Sequence, residues 1–153
     1  MLPTIDRVLA LQRNEIFAEV STDGLAHMAA IAEEVEFHDG DWLFREGAAA
    51  DACYLILAGE VVLTRGGQIE LTAGPGEDIG VWALFDGEPR AYAAQAKGNT
   101  HALRISQDDF YDLLADHRDV IQTLFRTVVR RIRRILSDPA ATARDKTGSG
   151  GPG

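Results

Sequence analysis

The spacing of hydrophobic and polar positions changes twice along this chain and divides it into three parts. From Thr4 to Glu34, apolar residues recur every three or four positions, which is typical of helices that bury one face. Ser21 or Thr22 is suited to cap the second helix, because its side-chain oxygen can accept a hydrogen bond from a free backbone N–H. The pattern therefore predicts a helical segment over residues 1–34.

From Val35 onwards, short runs of β-forming residues alternate with turns rich in glycine. The predicted strands are Trp42–Phe44, Tyr54–Leu57, Val61–Thr64, Ile69–Leu71, Tyr92–Ala96 and His101–Ile105. Arg65, Gly66 and Gly67 separate two of these runs and predict a β-hairpin. Many short strands within roughly 70 residues favour a sandwich, barrel or jelly roll over residues 35–105.

After Ile105 the apolar residues return to helical spacing. The apolar stripe of this segment consists of Phe110, Leu113, Leu114, His117, Val120, Ile121, Leu124, Phe125, Val128, Val129, Ile132, Ile135 and Leu136. Asp116 to Asp119 interrupt it, so a short helix followed by a long one is predicted over residues 106–137. Residues 138–153 have the composition of a linker and are predicted to form a disordered tail. Helices on both sides of a β region indicate the α+β class.

Composition and charge narrow the class of protein. The chain of 153 residues has 15 Lys and Arg against 24 Asp and Glu, a formal net charge of −9 that repels nucleic acid. Its single cysteine, Cys53, cannot form an internal disulfide, and no apolar run is long enough to span a membrane. We therefore expect a cytoplasmic protein with no nucleic-acid partner and no direct membrane insertion.

Candidate catalytic and metal-binding residues are sparse. The four histidines, His27, His38, His101 and His117, do not form the His-x-His pair expected of a metal-dependent jelly-roll enzyme. The sequence also lacks a Gly-x-Ser-x-Gly nucleophile motif and a cysteine pair with zinc spacing. We expect no metal, no catalytic residue and no enzymatic activity.

The segment Gly74–Ala94 carries the clearest candidate chemistry. Residues Gly80 to Leu84 can close one helical turn inside the β region, and a loop that enters a helix presents free backbone N–H groups to an anion. Arg90 adds a planar fork of donors that matches a phosphate with two hydrogen bonds. A site for one phosphate group is therefore predicted, although turn glycines and a surface arginine would produce the same pattern.

Four groups of residues resemble the cyclic nucleotide-binding domain family. They are Phe37-x-x-Gly40-Asp41-x-Leu43-Phe44-x-Glu46-Gly47, Ala52-x-Tyr54-x-Ile56-x-x-Gly59-x-Val61, Gly76-Glu77-Asp78-Ile79-Gly80-x-x-Ala83-Leu84 and Pro89-Arg90-Ala91. The resemblance runs from about Phe17 to Leu136. It implies N-terminal helices, an eight-stranded antiparallel β-roll (jelly roll) with a short helix in a phosphate-binding cassette over residues 76–94, and a long C-terminal helix.

The resemblance also implies a ligand and the residues that hold it. Arg90 would bind the phosphate oxygens of a nucleotide of the cyclic AMP or cyclic GMP class, and Gly80 would let the backbone approach the sugar. The other candidate ligand-binding residues are Val81, Trp82, Ala83, Leu84, Ala91 and Tyr92. No cofactor beyond this ligand is expected.

One cassette position departs from the family pattern. The family usually reads Phe-Gly-Glu where this chain reads Ile79-Gly80-Val81, and its glutamate accepts a hydrogen bond from the ribose 2′-hydroxyl. A charged acceptor contributes roughly 1.5–3 kcal/mol, and an apolar side chain facing the hydroxyl adds a desolvation cost. Trp82, the next residue, is large enough to fill the pocket.

Two functions follow from these features. In the first, a regulatory domain of signal transduction binds a cyclic nucleotide at the cassette and moves its C-terminal helix. In the second, a domain that has lost its ligand uses the long helix to form a homodimer or to dock onto another domain. The arginines of that helix are expected to pair with the acidic body, with an anionic partner or nucleic acid as the alternative. They are Arg126, Arg130, Arg131, Arg133 and Arg134.

Overall fold

The computed structural model describes residues 2–137, except for the side chains of Trp82 and Ala83. The predicted disordered tail, residues 138–153, lies outside the described residues. The elements in chain order are α1 (Thr4–Arg13), α2 (Thr22–Ile31), β1 (Glu33–Phe37), β2 (Trp42–Phe44), β3 (Ala52–Arg65), β4 (Gln68–Ala73), β5 (Asp78–Ile79), α3 (Val81–Asp86), β6 (Ala93–Ser106), α4 (Gln107–Asp116) and α5 (Arg118–Ser137). This order confirms the predicted α+β class.

The N-terminal helices form as the apolar spacing predicts, with a break after α1. Ser21 caps α2, because its hydroxyl accepts a hydrogen bond from the backbone N–H of Gly24 at 3.1 Å. A Cβ on Gly24 would lie 2.7 Å from Val20 and 3.1 Å from Val120 of α5. The small residue therefore lets α2 approach the start of the C-terminal helix.

Two long strands form the centre of the β-sheet. β3 and β6 each contain 14 residues and pair in antiparallel orientation. The sequence predicts two strands in each stretch, because Gly59 and Gly98 read as turns. The structure instead continues β3 through Gly59, where the register shifts and the backbone has a φ of +88°. Where the family pattern implies a roll of eight strands, the described residues 2–137 form six, two of which are long and bent.

The remaining strands pair with these two. The hydrogen-bonded order is β1-β6-β3-β4, while β2 pairs with β6 and β5 pairs with β3. The predicted hairpin is confirmed, since β3 and β4 pair in antiparallel orientation across Gly66 and Gly67. β5 has only two residues, and its pairing of Ile79 with Tyr54 fixes the entrance to the cassette.

Successive residues of β3 enter two different apolar clusters, as the two-residue repeat of a strand requires. Cys53 and Leu55 belong to a helical core with residues of α1, α2, α4 and α5. Tyr54 and Ile56 belong to a roll core. Its buried members are Phe44, Tyr54, Ile56, Val61, Leu63, Ala73, Ile79, Tyr92, Ala94 and Ala102.

The C-terminal segment contains the predicted short and long helices. Ser106 caps α4 by accepting a hydrogen bond from the backbone N–H of Asp109 at 3.1 Å, and the break falls at His117. α5 contains 20 residues, of which only Val120 and Leu124 are buried. In the second half of α5, Ile132 and Leu136 are exposed, whereas Val128, Val129 and Ile135 are partly buried. Within residues 2–137 no helix has the length and apolar character that a membrane span requires.

Candidate functional site

Arg90 lies inside the protein, with 2% of its surface exposed. Its backbone is fixed beside the loop that follows β2. The N–H of Arg90 donates to the carbonyl of Ala48, and the carbonyl of Arg90 accepts from the N–H of Gly47, both at 2.8 Å. These two hydrogen bonds direct the side chain inward from the segment after α3.

The guanidinium of Arg90 is held by backbone carbonyls and an aromatic ring. Nη2 donates to the carbonyl of Ala52, and Nη1 donates to the carbonyl of Gly80 at 3.4 Å. The guanidinium carbon lies 4.0 Å from the ring centroid of Phe44, within the range of a cation–π contact. None of these partners carries a negative charge, so the positive charge of Arg90 is solvated but not neutralised by them.

One donor of Arg90 remains without a partner. Its Nε is buried, and no hydrogen-bond acceptor reaches it from the part of the chain that the structure describes. Burial lowers the pKa of Arg90 from its ordinary value, and nearby acidic groups including Asp51 oppose that shift. A buried cation with an unused donor is suited to an anionic ligand.

Gly80 is required by the position of the arginine. Its φ of +76° favours glycine, and a Cβ there would lie 2.2 Å from Nη1 of Arg90. The family pattern predicts that Gly80 lets the backbone approach a ligand closely. In this structure, the group that lies against the backbone of Gly80 is the guanidinium of Arg90.

The cassette helix α3 directs its buried side chains away from the roll core. Val81 and Leu84 are both fully buried and belong to the helical core, together with Phe110 of α4. An apolar residue at position 81 thus meets the packing needs of this cluster, where a glutamate would be buried among hydrocarbon. The side chains of Trp82 and Ala83 lie outside the described part, so their predicted roles stay predictions.

Tyr92 and Ala91 lie on the roll side of the site. Tyr92 is buried in the roll core with its ring 5.9 Å from that of Phe44, and Ala91 packs against the same cluster. Burial raises the pKa of Tyr92 to about 12. It also raises the pKa of Cys53 to about 12, which leaves that thiol without nucleophilic character at neutral pH.

A second arginine lies near the first. Nη2 of Arg104 is 3.7 Å from the carboxylate of Asp51, whose other oxygen is 3.9 Å from Nη2 of Arg90. The sequence analysis did not identify Asp51 or Arg104 as site residues, because neither belongs to a motif. It also missed the roles of Phe44 and Ala52, although both belong to the residue groups that carry the family resemblance.

Asp78 connects the cassette to the N-terminal helices. This residue is buried, and its Oδ1 accepts a hydrogen bond from Nδ2 of Asn14 at 3.1 Å, while Oδ2 has no partner among the described residues. Burial raises the pKa of Asp78, and Arg131 of α5 acts in the opposite direction. The same Arg131 lies 3.5 Å from Glu15. The start of the cassette is therefore in electrostatic contact with α5.

The family of this chain is decided by a sequence comparison. A family model for the cyclic nucleotide-binding domain matches residues 34–117, more than half of the 153 residues. The chain belongs to the cyclic nucleotide-binding domain family. The predicted resemblance and the predicted fold class are both confirmed, and the matched family is one of regulatory domains rather than of enzymes.

Relatives of this cyclic nucleotide-binding domain include bacterial regulators. A CRP-like cAMP-activated global transcriptional regulator of Mycobacterium tuberculosis is 30% identical over 135 residues, which cover 85% of this chain and 59% of that protein. The chain thus spans 59% of the length of this curated relative.

Two solved structures have similar sequences and folds. The N-terminal domain of a transcriptional regulator from Streptomyces coelicolor A3(2) is 33% identical with a TM-score of 0.76, covering 82% of this domain's chain and 93% of its own. A cyclic nucleotide-binding-like protein from Brucella abortus is 31% identical with a TM-score of 0.65, covering 72% and 98%. These matches support a regulatory domain of the cyclic nucleotide-binding type.

Proposed function

We propose that this domain is a sensor that binds a nucleotide of the cyclic AMP or cyclic GMP class through Arg90. The observation that carries the proposal is the buried guanidinium, whose ion pair with the largely exposed Asp51 spans 3.9 Å and whose Nε lacks a partner among the described residues. A phosphate could accept from Nε and replace the long 3.4 Å contact between Nη1 and Gly80. The cAMP-activated regulator of Mycobacterium tuberculosis supports the same ligand class by its similarity.

The affinity is expected to be modest. Val81 packs into the helical core and offers no acceptor to a ribose hydroxyl. The missing charged hydrogen bond is worth roughly 1.5–3 kcal/mol, or about one to two orders of magnitude in Kd. The phosphate contact with Arg90 therefore has to supply a larger share of the binding energy than in a site that has the glutamate.

Binding at the cassette would be transmitted through the C-terminal end of α3. The carbonyl of Leu84 accepts a hydrogen bond from the hydroxyl of Tyr111 on α4, and the ring of Phe85 lies 5.9 Å from that of Phe110. Movement of α3 onto a ligand would change these contacts and shift α4 and α5. The ligand can drive this shift only by its different affinity for the two arrangements.

Calorimetry with cyclic AMP and cyclic GMP tests the proposal. Arg90→Lys keeps the charge but loses the planar fork, and it should weaken binding at least about tenfold. Arg45→Lys is the matched control, because Arg45 also lies over an aromatic ring, that of Trp42, at 3.9 Å from the centroid. No heat at millimolar nucleotide, or equal binding by wild type and Arg90→Lys, would contradict the proposal.

A second proposed function is self-association through α5. Ile121, Phe125, Ile132 and Leu136 form an exposed apolar stripe on this helix. A groove of about 360 Å³ beside it is lined by Phe85, Asp86, Leu114, Ile121, Leu124, Phe125 and Val128. Arg130 and Arg134 on this helix are paired with Glu19 and Glu15 of the same chain, and the exposed apolar stripe suits the same stripe of a second copy.

Sedimentation equilibrium of wild type and Phe125→Asp tests the second function. Ile69→Asp is the matched control, because Phe125 and Ile69 are both 70% exposed and only Phe125 lies on α5. We expect the wild type and Ile69→Asp to be dimers and Phe125→Asp to be a monomer. A monomeric wild type would rule out self-association and leave the sensor proposal unaffected.

A further inference from the structure

Asp51 joins two arginines from separate elements of the fold. Arg90 follows α3, and Arg104 is a residue of β6. One carboxylate oxygen of Asp51 lies 3.9 Å from Nη2 of Arg90, and the other lies 3.7 Å from Nη2 of Arg104. The two guanidinium groups therefore converge on a single anion of the protein itself.

This carboxylate is held weakly. The side chain of Asp51 is 72% exposed, whereas those of Arg90 and Arg104 are 1% and 28% exposed. Both distances exceed those of a hydrogen bond, and solvent screens an exposed ion pair. A phosphate has the same sign and more acceptor oxygens, so it can compete for both arginines.

Displacement of the side chain requires no movement of the main chain. The carbonyl of Asp51 accepts a hydrogen bond from the N–H of Gln107 at 2.8 Å, and the next carbonyl, that of Ala52, accepts from Arg90. These bonds fix the backbone while the exposed carboxylate can rotate into solvent. Arg90 keeps its orientation without Asp51, because two carbonyls and the ring of Phe44 already hold it.

We propose that Asp51 is a resident anion of the phosphate site, which a ligand phosphate displaces in order to contact both Arg90 and Arg104. The inference rests on the proposed function, since it requires a phosphate to reach Arg90. Arg104 is then a second cation of the site. Asp51 sets the affinity of the site by competing with the ligand.

Calorimetric titration of Asp51→Asn with cyclic AMP tests this role. The substitution removes a negative charge beside the phosphate position without removing a hydrogen bond of the fold. We expect Kd to fall about fivefold, the effect of one exposed charge at this distance. Glu36→Gln is the matched control, because it removes an equal charge from an exposed position on β1 and should leave Kd unchanged within about twofold.

Arginine Nε–H signals in NMR spectra test the role of Arg104. Addition of cyclic AMP should shift the signals of both Arg90 and Arg104, and Arg104→Gln should raise Kd about fivefold. A shift of the Arg90 signal alone would contradict the role of Arg104 as a second cation of the site.

The two proposals fail in different ways. If wild type binds cyclic AMP and Asp51→Asn binds it equally or more weakly, this inference is overturned and the sensor function stands. If neither protein binds at millimolar nucleotide, both are overturned.

Discussion

The arginine of the roll and the arginines of α5 have the same side chain in opposite environments. Arg90 is buried, donates to uncharged carbonyl groups and lies 3.9 Å from the exposed carboxylate of Asp51. Arg130 and Arg134 are more than half exposed and form ion pairs with Glu19 and Glu15. A buried arginine whose carboxylate partner is distant and exposed can attract an anionic ligand, whereas an exposed arginine in a close ion pair mainly covers a helix face.

The pairing on α5 agrees with its expected contact with the acidic body. Three of the five arginines, Arg130, Arg131 and Arg134, lie within 4.0 Å of a glutamate from the N-terminal segment. The candidate ligand site and the ion-pair network therefore differ in the burial of the arginine and in how closely a carboxylate approaches it. Four substitutions test this difference between the two sets of arginines.

Val81→Glu should have the largest effect on stability. It restores the acceptor of the family pattern, but residue 81 is fully buried in the helical core, where a carboxylate has no described basic partner. We expect the free energy of unfolding to fall by about 3–5 kcal/mol, with no gain in nucleotide affinity. Urea denaturation measures the first and calorimetry the second. A stable variant that binds cyclic AMP more tightly would show that position 81 can face the ligand.

Gly80→Ala should be the next most disruptive change, because it alters the buried arginine directly. The new Cβ would lie 2.2 Å from Nη1 of Arg90 and would hold alanine at a φ of +76°. We expect a loss of about 2–4 kcal/mol in urea denaturation and a loss of binding. Gly40→Ala is the control, since Gly40 has a φ of +87° and no atom within 4 Å of the added Cβ. Its cost should be only the backbone strain, about 1–2 kcal/mol. Equal losses in both variants would mean that the contact with Arg90 is unimportant.

Asp78→Asn should change how stability depends on pH. Burial raises the folded-state pKa of Asp78, so its protonated form contributes stability that is fully present below the unfolded pKa of about 3.8 and is lost as the pH rises through the folded pKa. The asparagine variant lacks this pH-dependent contribution to stability, because its side chain does not titrate. Thermal denaturation should therefore show that wild type loses stability relative to Asp78→Asn as the pH rises above about 4. A difference that does not change with pH would contradict the assignment.

Arg134→Gln should have the smallest effect. Its ion pair with Glu15 spans 2.9 Å, but both side chains are about half exposed, and such pairs contribute about 0–1 kcal/mol. Thermal denaturation in low and high salt measures it, and the small loss should vanish in high salt. Nucleotide affinity should not change. That result would show that the ion pairs of α5 do not contribute to the site at Arg90.

The contact between Gly80 and Arg90 could be predicted because the two residues are close in sequence. Gly80 and Arg90 stand in one loop-and-helix segment whose chemistry is local, and the structure brings them into contact. Asp51 and Arg104 gave no such signal, since exposed charged residues are common and their relevance depends on which strands are neighbours. The orientation of Val81 was equally hidden, because either face of a helix of six residues can be buried.

Features that depend on neighbouring residues could be read from the sequence: a cap at the start of α2, a break between α4 and α5, and the hairpin at Gly66 and Gly67. Local backbone hydrogen bonds and apolar spacing are sufficient for these.

Two other features depend on the folded arrangement: β3 runs through Gly59 as one strand, and Asp51 lies between Arg90 and Arg104. Both depend on contacts between residues far apart in the chain. Strand pairing and burial, rather than the residues' own preferences, set the distances that determine the electrostatics of the site.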